Sequence, residues 1–175
     1  MPSIHVCSLA RLPATVLETG ASHVATLINA STLVARPDSI AAERHLMLGV
    51  SDITAPLDGH ILPDAAHVER LLAFIRVWGG DRSRPLVAHC WAGISRSTAA
   101  AFIGACLLRP ETPEDEWAAQ IRERSPTATP NARLVQLADD LLSRNGRMVD
   151  AIARIGRGVD AYEGAPFRLD IGPAR

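Results

Sequence analysis

A chain of 175 residues suits one domain built around one substantial core. With 47% hydrophobic and 21% charged residues and a net charge of -1, it stands apart from disordered proteins and from those whose charge alone draws them to nucleic acid. No basic and then apolar leader opens the chain and no apolar run approaches a bilayer span. Neither a membrane nor nucleic acid is therefore expected as a partner, and a cytoplasmic setting is the simplest reading.

All 18 basic residues are arginine, which coding bias explains without any function. Cys7, Cys90 and Cys106 are too few and too scattered for a disulfide framework or a zinc site, so they are expected to be free thiols in a reducing compartment. Cys7 and Cys106 fall in apolar segments and read as core residues. The histidines share no ligand spacing, so neither a metal nor a cofactor is expected.

Taken in chain order, "IHVCSL" (4–9), "HVATLIN" (23–29), "HLMLGV" (45–50) and "PLVAH" (85–89) are short runs rich in branched residues and bounded by turn formers, which predicts strands. Their near-continuous apolarity predicts cover on both faces. Between the last two, Val68, Leu71, Leu72 and Ile75 follow helical spacing, with Gly79 and Gly80 as the expected stop. "STAAAFIGACLL" (97–108) is apolar nearly all round and predicts a helix inside the core. Thr112 reads as the N-cap of a further helix with Pro113 at its first position, acids early and Arg122 and Arg124 late. Asn131 reads as the cap of a last helix, whose stripe of Leu134, Leu137, Leu141 and Leu142 ends at Asn145-Gly146. Trp78 and Trp117 are expected to pack on their helices.

Strands alternating with helices, and then a run of helices, predict an α/β domain over residues 1–155. Its central, mostly parallel sheet of four to five strands is flanked by helices, with a helical C-terminal half. Residues 156–175 are rich in Gly, Pro and scattered charge and predict an irregular tail.

The chemistry concentrates in "HCWAGISRS" (89–97), which joins the fourth strand to the apolar helix. Unpaired N–H groups and the macrodipole make a helix N-terminus an anion site, and the same place favours the thiolate form of a cysteine. Gly93 lets the loop of Trp91, Ala92, Gly93, Ile94 and Ser95 curl so that its amides converge on one anion. Arg96 adds a planar fork for two phosphate oxygens. Ser97 can donate to a thiolate, and His89 can hold the loop from behind.

These residues resemble the His-Cys-x5-Arg-Ser/Thr signature of the cysteine-dependent protein tyrosine phosphatase superfamily, and Cys-x-x-Gly-x-x-Arg-Ser is similar to its compact dual-specificity branch. This composition would yield the signature by chance about once in a thousand chains. "SPTATPNARL" also resembles the Pro-Asn segment before the last core helix of that branch, so the likeness spans roughly residues 40–145. It implies a metal-independent phosphatase in which Cys90 attacks phosphorus while Arg96 and the loop amides hold the phosphoryl group. An aspartic acid then protonates the leaving oxygen, from a loop some thirty-odd residues upstream. Asp52, 38 residues before Cys90 in "LGVSDI", is the first candidate; Asp58, 32 residues before it in "APLDGH", is the second.

Either aspartate can instead be a turn or cap residue, and Asn131 is either an N-cap or a contact of the catalytic loop. The implied substrates are phosphorylated proteins, carrying phosphotyrosine and also phosphoserine or phosphothreonine, or small phosphomonoesters, with phosphate and vanadate-type anions binding the loop. Positions 91 and 94 lack the basic residues of phosphoinositide-directed relatives. A rhodanese-fold phosphatase would not explain Gly93 and Ser97. An inactive phosphate-binding module and a redox or arsenate-reducing thiol enzyme stay open as alternatives.

Overall fold

A computed structural model describes residues 2–172. Among them a five-stranded sheet runs in the order β3-β2-β4-β1-β5. The first four strands, β1 (Ser3–Ser8), β2 (His23–Ile28), β3 (His45–Gly49) and β4 (Leu86–Cys90), are parallel. The fifth, β5 (Phe167–Asp170), is antiparallel to β1. The α/β class and the mostly parallel sheet are thus as the sequence predicts. Cover on both faces holds for β2 and β4, which are buried throughout, whereas β3 at the edge is only half-buried.

The period of two sorts the strand side chains between two cores. Ile4, Val6, Ala25, Leu27, Leu86 and Ala88 face the larger one, which is closed by α2 (Ala65–Gly80), α3 (Arg96–Leu108), α4 (Glu114–Arg124), α5 (Ala132–Leu141) and α6 (Arg147–Ile155). Cys7, Val24 and Val87 face a smaller one under α1 (Leu12–Thr19). Helix α3 lies in the middle of the larger core, with every side chain from Arg96 to Cys106 buried. Among the described residues no helix is long and apolar enough to cross a membrane.

Four expectations are corrected. Helix α2 runs through Gly79 and Gly80 and stops at Asp81, because Trp78 and Gly79 are buried and packing outweighs the cost of glycine. Helix α4 is not capped by Thr112: Pro113 occupies the cap, and Glu114, Asp115 and Glu116 answer the dipole of the first turn instead. Helix α5 stops at Leu141, short of Asn145-Gly146, and Gly146 starts a further helix instead: the buried carboxylate of Asp139 on α5 accepts from Gly146 N (2.7 Å) and Met148 N (2.8 Å) and so caps α6 from outside its own segment. The chain from residue 156 is not irregular throughout: Phe167 and Leu169 point into the core and carry β5, while residues 173–175 lie outside the described residues.

Candidate active site

Strand β4 delivers Cys90 at its carboxyl end and α3 begins at Arg96, so Trp91–Ser95 form the turn between them, in the crevice where open α/β sheets bind ligands. Four of the loop carbonyls are turned outward. Trp91 O accepts from Leu9 N (3.1 Å), Ala92 O from Gly164 N (2.9 Å), and Ile94 O from Thr129 N (2.9 Å). Ser95 O accepts from Ala99 N (2.9 Å) and Asn131 N (3.3 Å), and Thr98 Oγ1 bonds both Ile94 O and Ser95 O. In a planar trans peptide the N–H opposes the carbonyl, so the amides of Ala92, Gly93, Ser95 and Arg96 face into the curl. Among the described residues none of the amides from Trp91 to Ser95 donates to a protein acceptor outside it.

Gly93 is required twice over. Its φ is +72°, and a Cβ there would stand 2.8 Å from the backbone of Cys7 and Ser8, where β1 passes behind the loop. Ser95 occupies the N-cap of α3 but does not cap it, since its Oγ is spent elsewhere, and no acid stands in the first turn. Among the described residues the positive end of this largely buried helix is therefore left without an answering acidic group.

Around this loop the functional side chains are fixed by hydrogen bonds. Cys90 is 2% exposed, and its Sγ lies 3.1 Å from Ser97 Oγ, which is itself buried. Arg96 donates through Nη1 to Asn29 Oδ1 and Val50 O, both at 2.8 Å, while its buried Nε has no partner. One nitrogen of the fork thus anchors the group and another is held out of water for a ligand.

Asp52 Oδ1 accepts from Ser95 Oγ (2.7 Å) and Asn131 Nδ2 (2.8 Å), which ties the loop after β3 directly to the catalytic loop. The sequence left Asn131 between two readings, and the structure gives it both. Its Oδ1 caps α5 by accepting from Leu134 N (3.0 Å), and that fixes the amide so that Nδ2 faces Asp52. Asp58 is not brought to the loop. It lies exposed in a turn closed by His60 N on Leu57 O, and its backbone carbonyl, not its carboxylate, is bonded, by His60 Nδ1.

His89 is wholly buried behind Cys90, where its Nε2 meets Thr26 Oγ1 at 2.6 Å; the same hydroxyl meets His45 Nε2 at 2.8 Å. Thr26 has one hydrogen to give, so one ring accepts from it and the other donates to it. Burial, aided by the nearby His45 and Arg96 and opposed by a contact with the Cys90 backbone, pushes the His89 pKa down to about 4. Unfolded, the ring protonates near 6.5, so the unfolded chain binds the extra proton first on acidification. Stability is expected to be unaffected by this residue above pH 6.5 and to fall between pH 6.5 and 4 by up to about 3 kcal/mol. Urea unfolding across that range checks it: His89→Gln should flatten the slope, and an unchanged slope would mean the ring is not buried neutral.

Trp91 is 54% exposed at the loop's edge. Beside Ile94 and Ser95 opens a groove of about 710 Å³, walled by Asp52, Leu57, Asn131 and Val159. Sequence reasoning missed this C-terminal wall altogether. Val159 N donates to Pro126 O (2.9 Å), Gly158 N to Thr129 Oγ1 (3.1 Å) and Gly164 N to Ala92 O, and a Cβ on Gly164 would stand 3.0 Å from Gly93 O. The tail is thus a strap laid against the catalytic loop. The available signal was the alternation of Phe167, Arg168, Leu169 and Asp170, which makes the strap return to the sheet.

The five-stranded, mostly parallel sheet backed by α2 to α6 is a fold shared with solved dual-specificity phosphatase structures. No protein-family model and no curated protein sequence matches the chain. Solved structures do: human DUSP28, with 17% identity over 82% of this chain and 96% of that one, superposes with a TM-score of 0.61. The human tyrosine phosphatase-like serine/threonine/tyrosine-interacting protein gives 18% identity, 83% and 94% coverage and a TM-score of 0.62. The Cydia pomonella PTP-2 phosphatase gives 16%, 80%, 86% and 0.60. At these identities the likeness is one of fold, and the chemistry must be argued from this chain's own residues.

Proposed function

We propose that the protein is a metal-independent phosphatase that hydrolyses phosphomonoesters through a phosphocysteine on Cys90. The observation that supports this most directly is the set of donors left without protein acceptors around that thiol: the inward amides of the loop and the buried Nε of Arg96. Unpaired buried donors are costly, so a site that keeps several together is built for an anion. A tetrahedral phosphoryl group has the oxygens to satisfy them.

In the first step the Cys90 thiolate attacks phosphorus, the S–P bond forms and the P–O bond to the leaving group breaks. Asp52 gives the leaving oxygen its proton. Its Oδ1 already accepts twice, so Oδ2 is the oxygen that carries that proton. In the second step water attacks phosphorus, Asp52 takes its proton back, and the S–P bond breaks to release phosphate and a thiolate that Ser97 Oγ stabilises. Arg96 and the loop amides hold the equatorial oxygens through both transition states. The substrates are phosphorylated side chains of proteins, phosphotyrosine foremost, and the three free thiols support a cytoplasmic setting.

The test is hydrolysis of an aryl phosphate. Turnover should persist in EDTA, be inhibited competitively by vanadate, and fall by about a hundredfold or more in Arg96→Lys, which keeps the charge but loses the fork. Loss of activity in EDTA would refute the cysteine mechanism. No turnover at all, with vanadate still bound, would leave a phosphate-binding module.

A further inference from the structure

On the other side of the catalytic loop from the large groove, the strap and the loop enclose a second cavity of about 190 Å³, lined by Ser8, Leu9, Trp91, Ala92, Tyr162 and Glu163. Nothing in the mechanism uses it. Its walls are largely apolar, and two of them are aromatic rings with much of their surface open to solvent, Trp91 at 54% and Tyr162 at 88%. Its polar group is the Glu163 carboxylate, which accepts a hydrogen bond from the buried hydroxyl of Ser8. Ser8 Oγ in turn accepts from Arg11 N (3.2 Å), so its hydrogen is directed at Glu163. Among the described residues Glu163 forms no ion pair, although five other acidic side chains pair with arginines.

We infer that this cavity is a subsite for the cationic side chain of a phosphorylated protein substrate, an arginine or lysine flanking the phosphorylated residue. The inference rests on the phosphatase reading and deepens it. Two exposed aromatic faces beside one unpaired carboxylate, in a concave apolar setting, are what a guanidinium or ammonium on an aliphatic stem complements: the stem lies on carbon, the charge meets the rings and the acid. The volume holds the equivalent of about six waters, enough for the end of one long side chain.

Position supports the same occupant. Trp91 directly follows Cys90, and the strap is pinned one residue beyond Glu163 by the bond from Gly164 N to Ala92 O. The site is thus held in place before substrate arrives, and a side chain entering it belongs to the molecule whose phosphate is in the loop. The Glu163 carboxylate thus stands at the edge of the loop, and the Arg96 guanidinium lies inside it. That arrangement favours a positively charged substrate side chain and a negatively charged phosphate at once.

The experiment compares kcat/KM for matched phosphotyrosine peptides. They carry a single arginine at one of the two positions on either side of the phosphotyrosine, or norleucine there instead. The wild-type protein should prefer the arginine peptide at one of these positions by roughly five- to tenfold. The ratio within each variant should collapse towards one in Glu163→Gln and shrink in Tyr162→Ala, whose exposed ring can be removed without touching the core. Equal rates on arginine and norleucine peptides at every position, or a preference that survives both substitutions, overturns the subsite. So does failure on every peptide by a protein that still hydrolyses an aryl phosphate, which would point to a small phosphorylated metabolite. A protein that hydrolyses neither overturns the phosphatase reading, and the subsite with it.

Discussion

Replacing Cys90 by serine should lower turnover of an aryl phosphate on the order of ten-thousandfold or more while leaving the fold and the anion cradle in place. An alkoxide is far harder to generate than a thiolate, and the neighbour of Cys90, Ser97 Oγ at 3.1 Å, is a hydroxyl and not a base. Nothing in the site is placed to take a proton from serine: His89 makes its hydrogen bond to Thr26 and is buried behind the loop. The substitution is nearly isosteric at a site only 2% exposed, and Ser97 can bond the new hydroxyl, so unfolding free energy should change by about 1 kcal/mol or less. Tungstate binding should survive as well, because the loop amides and Arg96 supply its ligands. Loss of turnover with binding retained separates the nucleophile from the cradle. Turnover within tenfold of wild type would remove Cys90 from the chemistry.

The catalytic loop was legible in the sequence because its physics is local. One strand end, one glycine and one helix start fix where the amides point, and all three lie within nine residues. Of what holds the loop from a distance, Asn131 was legible through the resemblance, whereas Leu9 after β1, Thr129 before α5 and Gly164 in the strap were not, since each comes from elsewhere in the chain. The same division applies to the fold. Strands β1 to β4 and helices α2 to α5 announce themselves by apolar runs, helical spacing or terminal charge. By contrast α6 depends on Asp139 for its cap, and β5 has only four residues and needs β1 to become a strand. Helix α1 is a different case. Pro13 near its start, Leu12 and Val16 four apart and Gly20 in the left-handed region at its end were all present in the sequence, but eight residues are too few to stand out from a loop.

Asn131 and Ser95 show why the site could be named more easily than its coupling. Each residue has an obvious local duty, capping a helix, and each is drawn instead, or in addition, to Asp52. Ser95 gives up its capping role altogether, so the end of α3 faces the cradle unanswered and the acid loop is latched to it. In the proposed mechanism one hydroxyl thereby serves both halves of the chemistry, clearing the anion site and aiming the acid.

The latch leads to the second large effect. Asp52→Ala should lower kcat by about a hundred- to a thousandfold on phenyl phosphate, whose leaving group needs the proton, and by much less on para-nitrophenyl phosphate, whose leaving group does not. Asp58→Ala should stay within about twofold of wild type on both, since that side chain is exposed in a turn and contacts nothing in the loop. Asp52→Asn distinguishes proton transfer from positioning. Its Oδ1 can still accept from Ser95 and Asn131, so the loop stays latched, yet the amide has no proton to give and the variant should be as slow as alanine on phenyl phosphate. If asparagine instead restores activity, Asp52 holds the loop and another group carries the proton. Equal rates for wild type and Asp52→Ala would remove it from both roles, because a carboxylate bonded at 2.7 and 2.8 Å to two loop partners cannot be lost silently if those bonds matter to the site.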